Sequence, residues 1–76
     1  MENKFLIDLS IKYGLESAKV SKVVDIIYQC GIREVDSREG QRIANYLCEM
    51  EMVEKPSEEV MEELRLKGLI PGIMGK

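Results

Sequence analysis

The stretch Phe5-Leu6-Ile7-Asp8-Leu9-Ser10-Ile11-Lys12-Tyr13 decides the fold class. Phe5, Ile7, Leu9, Ile11 and Tyr13 alternate with Leu6, Asp8, Ser10 and Lys12, which is the period-2 pattern of a half-buried strand. Wound as a helix, the same residues put Phe5, Leu6, Leu9 and Tyr13 on one face and leave Ile7 and Ile11 off it. A strand needs a pairing partner, and no second segment of this chain has strand character. The helical reading is therefore preferred. The expected fold class is all-α: three to four short helices in a small bundle, followed by an apolar, irregular C-terminal tail. A strand over residues 5–13 that pairs with another copy or another protein is the alternative.

Gly14 ends that segment, and residues 17–30 form the clearest helix in the chain. Val20, Val23, Val24 and Ile27 fall at i, i+3, i+4, i+7 spacing, Ile26 and Cys30 widen the stripe, and Ser17 is a natural N-cap. Gly31 suits the left-handed position just past a helix end. Beyond the connector Ile32-Arg33-Glu34-Val35-Asp36, the pair Asp36 and Glu39 resembles a capping box for a third helix running to about Met52. Ile43, Ala44, Leu47 and Cys48 form its apolar face. Gly40 in its first turn costs up to about 1 kcal/mol relative to Ala, and close approach of another backbone would account for it. Pro56 breaks the chain, Ser57 is a candidate N-cap, and residues 58–67 read as a short helix with Val60, Met61 and Leu64 inward. Gly68 stops it. The domain is expected over residues 1–68 and the tail over 69–76.

Seventy-six residues make one domain, and a domain of this size buries only about 60% of its unfolded surface. Aromatics are limited to Phe5, Tyr13, Tyr28 and Tyr46, so the core must be aliphatic. A 45% share of hydrophobic residues against 33% charged fits a folded chain rather than a disordered one. Residues 1–48 carry seven acids and seven bases, so the whole net charge of −3 lies in residues 49–76. An acidic chain has no general attraction for polyphosphate or anionic membranes, so any nucleic-acid binding must come from a local patch. No run approaches the ~18 apolar residues of a membrane span, and the N-terminus lacks a secretory apolar stretch. The cytoplasm is the expected location, with Cys30 and Cys48 reduced.

The chain contains no His, which removes the Ser-His-Asp and Cys-His nucleophile systems and the commonest metal ligand. Cys30 and Cys48 belong to no CxxC pair, and no phosphate-binding glycine loop is present. No catalytic residue, cofactor or metal site is expected.

Two regions remain as candidate sites. Arg38, Gln41, Arg42 and Asn45 line one face at the start of the third helix. Arg reads guanine edges and Gln and Asn read adenine edges in the major groove, and recognition helices make such contacts near their N-termini. The run Arg42-Ile43-Ala44-Asn45-Tyr46-Leu47 is similar to the second helix of many helix-turn-helix and winged-helix domains. Against this, the connector is longer than a tight turn, Glu34, Asp36 and Glu39 flank the stripe, and no Lys/Arg cluster supports it. The second region is the tail, whose Leu69, Ile70, Ile73 and Met74 either fold back over a thin core or dock on another chain. The expected function is that of a small non-enzymatic binding or regulatory protein. It would act on a protein partner or as a homo-oligomer, without a membrane, through the tail. A helix-turn-helix regulator using the Arg38–Asn45 face is the alternative.

Overall fold

Asn3 starts the first helix by accepting hydrogen bonds at its Oδ1 from the backbone N–H groups of Phe5 (2.9 Å) and Leu6 (3.3 Å), which satisfies donors that no helical carbonyl can reach. The computed structural model describes residues 3–70. Its elements are α1 (Lys4–Tyr13), α2 (Ser17–Gln29), α3 (Arg38–Glu49), a single 3₁₀ turn (Met52–Glu54) and α4 (Ser57–Leu66). The all-α class holds, with four α-helices and no strand among the described residues. Residues 5–13 are helical. The alternation that mimics a strand arises because Leu9 is buried and Phe5 and Tyr13 half-buried, whereas Ile7 and Ile11 are exposed on the other side of the same helix.

Helix ends differ from the sequence expectation by one to three residues. Ser37, not Asp36, caps α3: its Oγ accepts from the Gly40 N–H at 3.2 Å. Ser17 and Ser57 are the first residues of α2 and α4, and neither Glu16 nor Pro56 before them makes a side-chain cap bond. The third helix stops at Glu49 rather than Met52. Glu51 takes a positive φ of 57°, and the 3₁₀ turn that follows buries Met52 and Val53.

Three helices end on one signature, a glycine followed by Leu or Ile: Gly14-Leu15, Gly31-Ile32 and Gly68-Leu69. The glycines have φ of 64°, 87° and 72°, a region where a Cβ is penalised. The following residue donates its N–H five residues back: Leu15 to Ser10 (2.9 Å), Ile32 to Ile27 (3.3 Å) and Leu69 to Leu64 (3.0 Å). Its side chain packs, half-buried, against the core.

That core is aliphatic. Leu9 enters from α1, Val23, Ile26 and Ile27 from α2, and Ile43, Ala44, Leu47 and Cys48 from α3. Met52, Val53, Val60 and Leu64 complete it, together with Val35 of the α2–α3 connector and Ile70. Among the described residues no polar or charged side chain is buried. Lys19 of α2 pairs with Glu54 of the 3₁₀ turn, and Lys22 donates to the Lys55 carbonyl. The hydrogen bond to Glu54 is the main cause that raises the Lys19 pKa, and it lowers that of Glu54.

Gly40 has the close approach that its place in a first turn suggested. A Cβ there would lie 2.2 Å from the Val35 carbonyl oxygen and 2.9 Å from that of Glu34, so backbone rather than a flexible side chain stands in the way. Gly40→Ala is expected to cost about 2 kcal/mol or more despite its better helix propensity. In a domain of this size that lowers Tm by about 10 °C. Thermal unfolding followed by circular dichroism checks this; an unchanged or raised Tm would show that the connector is not pinned there.

Candidate functional site

Arg38, Gln41 and Arg42 are exposed and Asn45 half-buried, on the side of α3 away from Ile43, Ala44, Leu47 and Cys48. The four share a face, but they are not equally available. Gln41 Nε2 donates to the Asp36 carbonyl at 2.7 Å, which commits the amide to closing the connector. Arg38 and Arg42, one turn apart, form no ion pair among the described residues. The exposed carboxylates of Glu34, Asp36 and Glu39 lie in the adjoining sequence, and eight residues separate α2 from α3.

The tail is divided. Past Gly68 the chain turns back, Leu69 is half-buried against the core, and Ile70 is buried in it at 6% exposure. In this arrangement Ile70 serves this chain's own interior rather than a partner's surface. Ile73 and Met74 lie outside the described residues. Ile70→Ala is expected to destabilise by about 2–4 kcal/mol, the range for truncating a buried aliphatic side chain. Urea unfolding measures this, and a midpoint shift near zero would mean that Ile70 is not a core residue.

Both cysteines sit in surroundings that favour the neutral thiol. Burial pushes the pKa of both Cys30 and Cys48 up, and the Glu49 charge adds to the effect at Cys48. Both are free. Cys30 Sγ lies 4.0 Å from Met61 Sδ, a packing contact between soft side chains. Among the described residues no group of three His, Cys, Asp or Glu could hold a metal ion, and no helix is long and apolar enough to cross a membrane.

A third region has no counterpart among the sequence-derived candidates. Two adjoining hollows of about 420 and 520 Å³ run between α1 and α2 and share Asn3 and Leu6. One wall is Leu6, Ile7 and Ser10 of α1, and the other is Ser17, Val20, Ser21, Val24 and Tyr28 of α2. The α2 residues follow i, i+3, i+4, i+7, i+11 spacing, so a single helix face lines the whole trough. Leu15 floors one end, and Val35 with Arg33, Glu34 and Asp36 closes the other.

Compared with protein-family models, curated proteins and solved structures, the chain matches none.

Charge distinguishes this trough from the rest of the surface. A third of all residues are charged, yet the only charged lining residues are Arg33, Glu34 and Asp36 at one end. A hollow beside α4 shows the contrast: Glu58, Glu59, Glu62, Glu63 and Lys55 line it with Met52. Ile7, which lines the trough, and Ile11, one helical turn further along α1, are 42% and 74% exposed, and Tyr28 is 54% exposed on the other wall. Away from the Arg33–Asp36 end, this surface can bury aliphatic side chains without desolvating a charge.

The signal for it was present in the sequence. On α2, Val23, Ile26 and Ile27 are buried, while Val20 and Val24, read as members of the same stripe, are only half-buried. Ile7 and Ile11 stood off the inward face of their helix. Surplus apolar residues beside a complete core stripe mark the groove.

Proposed function

We propose that this chain is a small non-enzymatic binding or regulatory module that acts through protein–protein contacts, with the α1–α2 groove and the Ile7–Ile11 ridge as its docking surface. The single observation that carries this reading is a trough charged only at its Arg33–Asp36 end, on a chain otherwise rich in charge. Covering Ile7 and Ile11 contributes on the order of 1–2 kcal/mol each, enough for a few such side chains to dominate an interface. The absence of His and the raised thiol pKa values support a binding role over catalysis. Two free cysteines suit a reducing compartment such as the cytoplasm. Leu69 and Ile70 pack on the core, so the docking surface proposed here is the α1–α2 face.

Ile7→Asp with Ile11→Asp is expected to abolish capture of the partner while far-ultraviolet circular dichroism stays unchanged, because both side chains are exposed. Tagged wild-type and double-variant proteins, compared by copurification and mass spectrometry, give the answer. Recovery of the same proteins by both would sink the proposal.

A second reading rests on Arg38 and Arg42, two exposed guanidiniums one turn apart at a helix N-terminus, placed as in a nucleic-acid reader. On that reading, Arg38→Ala with Arg42→Ala removes a mobility shift on duplex DNA that the wild type gives at about 50 mM salt. A wild-type protein that retards no duplex under those conditions excludes it.

A further inference from the structure

We infer that α1 undocks and redocks as a unit on a core that stays folded, so that the α1–α2 groove is present only while α1 is down. The functional consequence rests on the docking reading above; the motion itself does not. Locally α1 is a well-made helix. Asn3 Oδ1 caps its start, Gly14 closes its end at φ 64°, and the Leu15 N–H returns to the Ser10 carbonyl at 2.9 Å. Yet only Leu9 of its ten residues is buried. By contrast α2 buries three residues, α3 five, and α4, equal in length to α1, two. Phe5, Leu6 and Tyr13 add half-buried packing.

Polar ties repeat the contrast. Among the described residues a single hydrogen bond joins α1 to another helix, from the Tyr13 hydroxyl to Glu49 at 3.3 Å, and it is exposed. Neither ion pair there involves α1. The other elements are cross-linked. Lys19 and Lys22 of α2 reach Glu54 and the Lys55 carbonyl, the Tyr46 hydroxyl of α3 donates to Glu63 of α4 at 3.4 Å, and the Val35 carbonyl lies against Gly40. On its α2 side α1 does not close a seam: Leu6, Ile7 and Ser10 line open hollows. At the pivot, a Cβ on Gly14 would meet nothing within 4 Å, so no neighbouring group clasps the turn.

An element with few buried apolar contacts opens at a lower free energy than the whole domain. Of the fourteen buried hydrophobic residues described, thirteen lie outside α1, and they can stay assembled when it leaves. A free helix of this length falls short of the about 12–15 residues that give even marginal stability in water, so an undocked α1 also unwinds. Leu6, Ile7 and Ser10 then no longer line the groove. The docking surface exists in proportion to the docked population, and whatever fills the groove holds α1 down.

Amide hydrogen exchange of the full chain, followed by NMR over a series of urea concentrations below the unfolding transition, tests this. Amides from Leu9 to Tyr13 should be protected at least about tenfold less than those of Ile26, Ile27, Ile43 and Leu47. Their urea dependence should be weaker, because opening α1 exposes less surface than unfolding does. Val60→Ala, a truncation in the α4 part of the core, should lower the protection of the α2 and α3 amides by about tenfold or more and leave α1 amides at their wild-type rates. Amides of α1 that share the protection and urea dependence of α2 and α3 overturn the inference on the wild type alone. A Val60→Ala variant in which α1 loses protection by the same factor as α2 and α3 overturns it as well. No partner is present in this experiment, so its result is separate from the docking reading, which fails instead if the Ile7→Asp, Ile11→Asp variant recovers the same proteins as the wild type.

Discussion

The Val35 carbonyl lying against the bare Cα of Gly40 fixes the frame of this domain. The contact presses the α2–α3 connector onto the first turn of α3, buries Val35, and sets where α2 enters the core with Val23, Ile26 and Ile27. Ser37 Oγ and the Gln41 amide then close the same turn from either side. With α2 and α3 joined in this way, α1 packs on α3 through Leu9 and reaches it again where the Tyr13 hydroxyl donates to Glu49 at 3.3 Å. The groove is what remains between α1 and α2 once both have met the shared core. Its shape therefore depends on a contact that contributes none of its lining except Val35.

Much of this was legible in the sequence, and the residues show why. The α2 and α3 stripes, the stop signals at Gly14, Gly31 and Gly68, and the inward Val60 and Leu64 follow from periodicity and from glycine's tolerance of positive φ. Gly40 announced itself as an unfavourable residue in a helix that needed a reason. The first helix was harder, because two of its five alternating apolar residues face solvent and periodicity does not distinguish an apolar residue that packs from one that waits for a partner. The tail was ambiguous for the same reason, and the placement of Leu69 and Ile70 needed the turn at Gly68. The cap of α3 was displaced by one position, since Asp36 and Ser37 are both competent caps and the sequence does not say which one the Val35 contact will seat.

Charge is sorted as strictly as apolar surface. Five of the seven acids of the C-terminal third, Glu54, Glu58, Glu59, Glu62 and Glu63, lie on the 3₁₀ turn and α4. Lys19 and Lys22 of α2 reach over to Glu54 and to the Lys55 carbonyl, and so tie α2 to the acidic region. What remains on the opposite flank of α2 is serine, valine and tyrosine. One helix thus carries an electrostatic anchor on one side and a neutral wall on the other, and the thirteen residues of α2 organise both the fold and the surface proposed to act.

The three Gly-plus-Leu/Ile helix ends have a consequence for how this chain can vary. Connections are ordinarily where a domain gains and loses residues most freely. Here the residue after each glycine is both the last hydrogen-bond donor of the helix and a side chain packed on the core. Lengthening any of these junctions by one residue would shift that side chain out of register with the carbonyl five positions back and turn it toward water. Natural variation in length should therefore be scarce at these junctions, and the spacing between helices should be kept more strictly than the residues on their outer faces.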